Sequence, residues 1–216
     1  GLDADGLLVV GEQPACEGGE RSGQRERNEA DLHRIQAIGL RAAFVGTAGD
    51  DDHAYGLCQA LETRGVDTTR LIRRSARHRR AIVLVNEQTG DRTVLWERDA
   101  QLSLTPEEVP RTIIEHARLL HVDDVDVDAA VVAAGIARRA GIPVTSDIDQ
   151  VNERTCALIE AVTVPIFAEH VPRALTGESD PERALRRLRH RHAGLLCVTL
   201  GVRGSMLLDG NQLYHV

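Results

Sequence analysis

Val198-Thr199-Leu200-Gly201-Val202-Arg203-Gly204-Ser205 decides how this chain is read. An apolar strand runs into a Thr-x-Gly-x-x-Gly turn, and a new strand follows. Glycine has no Cβ, so such a turn exposes backbone N–H groups and lets a ligand approach the main chain closely. Alone, the turn is a weak sign of a phosphate site. It gains weight because four earlier strands also end in polar residues at the same edge.

Moving back from the turn, strand and helix alternate. The pattern predicts strands over 195–200, 163–167, 142–146 and 118–122, all nearly continuous in apolar residues. Parallel strands covered on both faces need that composition. Helices between them supply the crossovers. Ser179-Asp180-Pro181-Glu182 opens one helix, with Ala184, Leu185 and Leu188 on one face and Arg186, Arg187 and Arg189 on the other. A short helix is predicted from Asn152 and a longer one over 126–140. Thr105-Pro106-Glu107-Glu108 predicts a helix start with a capping box and Pro at the first helical position. Beyond the turn, residues 206–213 read as a hairpin bending at Asp209-Gly210.

The amino-terminal half carries further strands over 6–10 and 41–46 and a helix over 52–64 closed by Gly65. Leu32, Ile35 and Ile38 give a helical stripe that stops at Gly39. The block 70–100 differs. Residues 81–85 and 93–96 are strands joined by the turn-rich 86–91, which predicts an antiparallel hairpin inserted in an α/β chain. The preceding arginines (Arg70, Arg73, Arg74, Arg77, Arg79, Arg80) fit either an anion site or a charged strand edge.

At 216 residues the chain can bury one substantial core with room for a small accessory layer. Aromatic residues make up 2%, so Leu, Val, Ile and Ala must build that core. The net charge of −7 argues against a broad nucleic-acid face. No apolar run approaches the roughly 18–20 residues that span a bilayer, and no signal-peptide pattern precedes the first strand. Cys16, Cys58, Cys156 and Cys197 show no CxxC spacing and read as free thiols in a reducing, cytoplasmic setting, ahead of disulfides or zinc.

In an open parallel sheet, ligands bind beyond the carboxyl ends of the strands. Those ends carry Asp50, Asp51 and Asp52, then Asp123 and Asp124, then Asp147 and Asp149, then Glu169, then Thr199 and Gly201. Carboxylates there can accept hydrogen bonds from sugar hydroxyls or hold hydrated Mg2+. Each one singly can also be a helix N-cap. Arg189-His190-Arg191-His192 reads as an exposed helix end, and His121 as a hydrogen-bonded core histidine. Trp96 can stack on a ligand or pack in the core or hairpin. No Gly-x-Ser-x-Gly elbow supports hydrolysis.

Taken in order, several segments resemble the ribokinase-like (PfkB) carbohydrate kinases. They include Gly1-Leu2-Asp3-Ala4-Asp5, Phe44-Val45-Gly46-Thr47-Ala48-Gly49-Asp50-Asp51, Gly65-Val66-Asp67-Thr68 and Gly90-Asp91-Arg92-Thr93. Leu119-Leu120-His121-Val122-Asp123, Ala140-Gly141-Ile142-Pro143, Leu175-Thr176-Gly177 and the glycine turn continue the series. The resemblance implies one α/β domain over 1–216: a mostly parallel sheet with helices on both faces and a small β lid, its strands within 70–100 and part of 6–24. It also implies phosphate transfer from ATP, with Mg2+, to a sugar or sugar-like alcohol. In that picture Asp5 and Asp3 accept hydrogen bonds from the sugar, and Thr199, Gly201 and Gly204 lie against the nucleotide. The lid closes over the sugar, and a homodimer pairs lid to lid.

Three departures stand out. The family's Gly-Gly with a nearby Asn is altered here, since Gly18-Gly19 is followed only at a distance by Asn28. Its Asn-x-x-Glu is replaced by Ala168-Glu169-His170-Val171, which leaves Glu169 as the one carboxylate for the metal. Its Gly-Ala-Gly-Asp motif, the source of the anion hole and the catalytic base, has no copy before Val216. The resemblance therefore assigns no catalytic residue to this chain and implies little activity from these residues alone. Two other readings remain: an inactive relative that binds a sugar or nucleotide, and an unrelated Rossmann domain. The second lacks Gly-x-Gly-x-x-Gly after the first strand.

Overall fold

Apolar runs that cannot face water on either side should lie in the middle of a layered sheet. The computed structural model describes residues 6–10, 15–16, 41–88 and 92–216. The described strands form two sheets. The larger holds β1 (Gly6–Val10), β3 (Arg41–Ala48), β4 (Asp67–Arg73), β7 (Leu119–Val122), β8 (Val144–Ile148), β9 (Val164–Ala168), β10 (Leu196–Thr199), β11 (Ser205–Asp209) and β12 (Gln212–His215). Their order is β12-β11-β10-β9-β8-β7-β1-β3-β4. All neighbours from β4 to β10 run parallel, and β11 and β12 close the edge as the antiparallel hairpin expected around Asp209-Gly210. The smaller sheet holds β2 (Ala15–Cys16), β5 (Arg80–Val85) and β6 (Arg92–Glu97), with β5 and β6 antiparallel as predicted.

Helices α1 (Asp52–Thr63), α2 (Arg111–Glu115), α3 (Val127–Arg139), α4 (Thr155–Ala161), α5 (His170–Thr176) and α6 (Pro181–Leu188) supply the connections. Alternation along β3 shows that both faces are covered. Ala42 and Phe44 pack with Leu57 and Leu61 of α1, while Ala43 and Val45 join the main core with Leu120, Val122 and α3. On α3, Ala129, Ala130, Ala133, Ala134 and Ala137 are all buried, and such small side chains let the helix axis lie close to the sheet. The two phenylalanines, Phe44 and Phe167, are buried, and aliphatic residues fill the rest.

The structure differs from the sequence expectations in four places. β4 was not predicted. It is an edge strand with Arg70 and Arg73 exposed, and its apolar pair Leu71-Ile72 is only half-buried. Edge strands need no continuous apolar run, so the arginines there act as edge charges. Arg73 also lies over the Tyr55 ring at 4.4 Å. Second, the capping sequence at Thr105 opens only a 3-10 turn, Pro106–Glu108. Pro110 forces Val109 into an extended conformation (φ −67°, ψ 118°), and the α-helix begins after it. Third, α4 starts at Thr155; the Asn152 side chain instead accepts from the Arg154 N–H at 2.8 Å. Fourth, the segment 189–192 is not simply an exposed helix end. His192 is buried with Nε2 3.1 Å from the Thr163 carbonyl, and Arg189 donates to the carbonyls of Ala193, Gly194 and Leu208. The helical stripe ending at Gly39 lies outside the described residues.

Cys58 is buried, Cys156 and Cys197 are half-buried, and none of the three is in a disulfide. Burial pushes the Cys58 and Cys197 thiols up, away from the reactive thiolate. No helix among the described residues is long and apolar enough to cross a membrane.

Gly49 follows β3 where the chain passes under the connection to the second sheet. A Cβ there would press on the Ala76 carbonyl oxygen and come within 2.5 Å of the His78 nitrogen. Both obstacles are backbone, so neither can rotate away. Gly49→Ala is expected to cost about 2–3 kcal/mol of stability, as overpacking does, read from the urea midpoint. A loss below about 0.5 kcal/mol would contradict this packing.

Candidate functional site

Parallel strands joined by crossovers all finish at one edge, so residues distant in sequence are collected on one rim. The ends of β3, β7, β8, β9 and β10 lie there. The polar residues predicted at strand ends therefore do share one edge, but the structure uses several of them itself. Asp51 is the N-cap of α1: its carboxylate accepts from Ala54 N at 3.0 Å and from His78 N at 2.9 Å. Burial alone would raise the Asp51 pKa, yet these two N–H groups outweigh it and hold the carboxyl below its ordinary value. Asp124 accepts from the N–H groups of Asp149 and Gln150 at 2.7 and 2.6 Å, and so shapes the loop after β8. Asp123 accepts from Val125 N at 3.1 Å.

Asp147 behaves differently. Its side chain reaches solvent, but the protein packed around it pushes its pKa up, with the Asp124 and Asp149 carboxylates adding to the effect. One strand over from Asp149's loop, Glu169 follows β9 and forms an ion pair with Arg203 of the glycine turn. His121, on β7, has Nδ1 2.8 Å from Thr145 Oγ1 on β8, and burial pushes its pKa down. It is the hydrogen-bonded histidine predicted from the sequence.

The glycine turn itself leaves β10 as a 3-10 turn, Gly201–Arg203, before β11. Gly201 has φ 59° and Gly204 φ 82°, conformations that a Cβ disfavours. Nothing lies within 4 Å of where a Gly201 Cβ would stand, so the backbone here is open to an approaching ligand. The turn closes on itself through Leu200 N to the Gly204 carbonyl at 2.8 Å. Thr199, the last residue of β10, donates its hydroxyl to the Phe167 carbonyl at 3.3 Å and pins the turn to β9.

Asp3 and Asp5 lie outside the described residues. Gly6, which follows them, opens β1 beside Arg41, the first residue of β3. β1 is therefore entered from the edge opposite the rim.

Sequence reasoning missed how the second sheet is fastened. The chain leaves the main sheet after β4 and returns after β6. On the outward segment Arg74 donates to Glu108 at 2.7 Å. On the return, Arg98 pairs with Asp126 at 2.5 Å, and Asp126 also accepts from Leu104 N at 3.0 Å. The Arg98 and Asp126 side chains are only 16% and 14% exposed. Partners 28 and 34 residues apart leave no local pattern to read. Trp96, on β6, is 59% exposed, with the Arg79 guanidinium 5.8 Å from its ring centre.

Among the described residues no three His, Cys, Asp or Glu side chains gather as a metal cage. What the rim offers is an open glycine turn with one cation beside it at the β10 end and a carboxylate of raised pKa at the β8 end.

A sequence profile described as "pfkB family carbohydrate kinase" matches residues 32–216, and the chain belongs to that family. Fructokinase-2 of Solanum habrochaites is 27% identical over 191 residues, covering 79% of this chain and 58% of the relative. The chain thus spans about 58% of the length of the plant fructokinases it matches. The fold is shared with a fructokinase of Halothermothrix orenii (TM-score 0.79, 18% identity, 100% of this chain and 85% of that one). It is also shared with a provisionally named ribokinase II from E. coli, solved with ATP and Mg2+ (TM-score 0.74, 20% identity, 97% and 77%).

A carboxyl with a raised pKa binds its proton more tightly in the folded state. It therefore adds stability below its unfolded pKa, and loses that contribution as pH rises through the folded pKa. At neutral pH ionised Asp147 is a net cost. Asp147→Asn is expected to melt slightly above the wild type at pH 7, with the gap closing toward pH 4, near the ordinary aspartate pKa of about 4. Equal melting at pH 7 would show that the carboxylate is not strained.

Proposed function

We propose that this chain forms the nucleotide-binding and sugar-binding core of an ATP-dependent carbohydrate kinase. The observation that carries the reading is the open glycine turn on the same rim as Asp147, in a chain of the pfkB family. Thr199, Gly201 and Gly204 would lie against the nucleotide; the Gly204 N–H is donated to the Gly201 carbonyl at 3.1 Å, so the exposed main chain at Gly201 is the part of the turn that would meet the phosphates. The resemblance gave the sugar to Asp3 and Asp5. Those two lie outside the described residues; among the described ones, Asp123 after β7 and Asp147 within β8 are carboxylates on the rim that could meet the sugar. Fructose is the first sugar to test, because fructokinases are prominent among the relatives, with 5-dehydro-2-deoxygluconokinases beside them.

Mg2+ finds no side-chain cage among the described residues. It would come with the nucleotide, keep phosphate and water oxygens as most of its ligands, and meet Glu169 as the one carboxylate at the end of β9. The family's base motif has no counterpart in these 216 residues. General-base catalysis contributes typically about 10²–10⁴ in rate. The 216-residue chain is therefore expected to bind ATP, read by calorimetry, while its sugar-dependent ATP turnover in a coupled assay stays low. Substantial turnover would overturn the expectation that these residues alone catalyse little. Absence of ATP binding would overturn the nucleotide site.

The second sheet is the lid in this reading. Its register puts Ile82 opposite Leu95 and Leu84 opposite Thr93 on one face, and Ala81 opposite Trp96 and Val83 opposite Val94 on the other. Both faces are largely apolar, while closing over a ligand would cover only one. A second copy of the chain would cover the other. Light scattering is expected to give twice 23.6 kDa, with Leu95→Glu shifting the mass to the monomer; a monomeric wild type would count against the pairing.

A further inference from the structure

Arg203 is the one charged side chain between Thr199 and Gly204. Its guanidinium is paired with the carboxylate of Glu169, the first residue after β9. The pair links the end of β10 to the end of β9, with Arg203 inside the glycine turn itself. Arg203 is 57% exposed and Glu169 53% exposed. Water screens such a pair, and it contributes little to stability. Neither side chain holds the fold together there, and both stand at the mouth of the site.

We infer that Arg203 is a positioning residue for the phosphates, held by Glu169 as an internal anion until the ligand replaces that carboxylate. The inference rests on the nucleotide reading of the glycine turn. A planar guanidinium forms the same two-pronged hydrogen bonds with phosphate as with carboxylate. A di- or triphosphate carries more negative charge than one carboxylate, so the exchange favours the nucleotide. Without Mg2+, Glu169 is then a competitor: it lowers phosphate affinity and keeps Arg203 from reaching other anions. The exposed main chain at Gly201 would act on any phosphate alike, whereas the contribution of Arg203 grows with phosphate charge.

Calorimetric titration with ATP, ADP and adenosine in EDTA tests this on the wild-type chain, Arg203→Ala, Arg203→Lys and Glu169→Gln. Arg203→Ala is expected to weaken ATP about tenfold, ADP less and adenosine not at all, and Arg203→Lys to restore part of the loss. Glu169→Gln is expected to tighten ATP about two- to fivefold, since the competing charge is gone. If the wild type binds ATP and Arg203→Ala binds it equally well, or loses adenosine to the same degree, the exchange is wrong and the nucleotide site stands. Weakening of ATP by Glu169→Gln would also overturn the competition. If the wild type binds no ATP, the nucleotide site and the exchange fall together.

Discussion

A parallel sheet hidden on both faces constrains everything else in this molecule. Its strands must be joined by helices that carry the chain back to the starting edge, so every strand ends on the same side. The amino-acid cost is visible in the core. β7 and β10 have their inward positions fully buried, and α3 presents a column of alanines rather than larger residues. Where the parallel run stops, β11 and β12 turn back as a hairpin and cover the last strand. The rim exists because of this topology, before any particular polar residue is placed on it.

The second sheet depends on a different kind of contact. It leaves and rejoins the body through two short segments, each tied by an arginine to a carboxylate of the body. The Arg98–Asp126 pair is largely shielded from water, and Asp126 spends its other oxygen on the Leu104 N–H. A shielded pair with its remaining lone pairs satisfied orients its neighbours; losing one partner would leave a charge stranded. Exposed pairs such as Arg111–Glu115 have no such role, since water replaces either partner. The connecting segments are thus held by side-chain charge together with the buried Ala76, Leu102 and Leu104.

Those contrasts explain what the sequence could reveal. The central strands and the helix at Asp180 were legible because continuous apolar runs and a capping aspartate each have one structural meaning. β4 was not, because an edge strand tolerates Thr-Thr-Arg-Leu-Ile-Arg, which reads as a polar connection; only its β-branched residues hinted at a strand. Pro110 is legible in the sequence, but a capping box and a following proline pull in opposite directions, and here the proline decides. At the site, the glycines were legible because a residue without a Cβ has few other uses in a strand-to-strand turn. The aspartates were not separable. Asp51 as a cap, Asp124 as a loop clamp and Asp147 as a crowded carboxylate look alike until their neighbours are known. Arg203 was quoted within the turn, yet its partner lies 34 residues away and leaves no trace in the local sequence.

The distribution of charge along the rim follows from these partnerships. Asp51 and Asp124 each accept from two backbone N–H groups, which ties both carboxylates to the fold. What remains acidic is concentrated near β7 and β8, whereas the end of β10 offers glycine backbone and a guanidinium. β8 and β10 are two strand spacings apart, about 10 Å. A polyanion placed against β8 would meet Asp147, which already resists ionisation beside its neighbours. The same polyanion at β10 would meet donors and a cation. The two ends of the rim therefore differ in charge, and in the proposed reading the hydroxyls of a ligand pair would face the β8 end and the phosphates the β10 end. Reversing that pair would set phosphate against carboxylate at one end and leave Arg203 without an anion to replace Glu169 at the other.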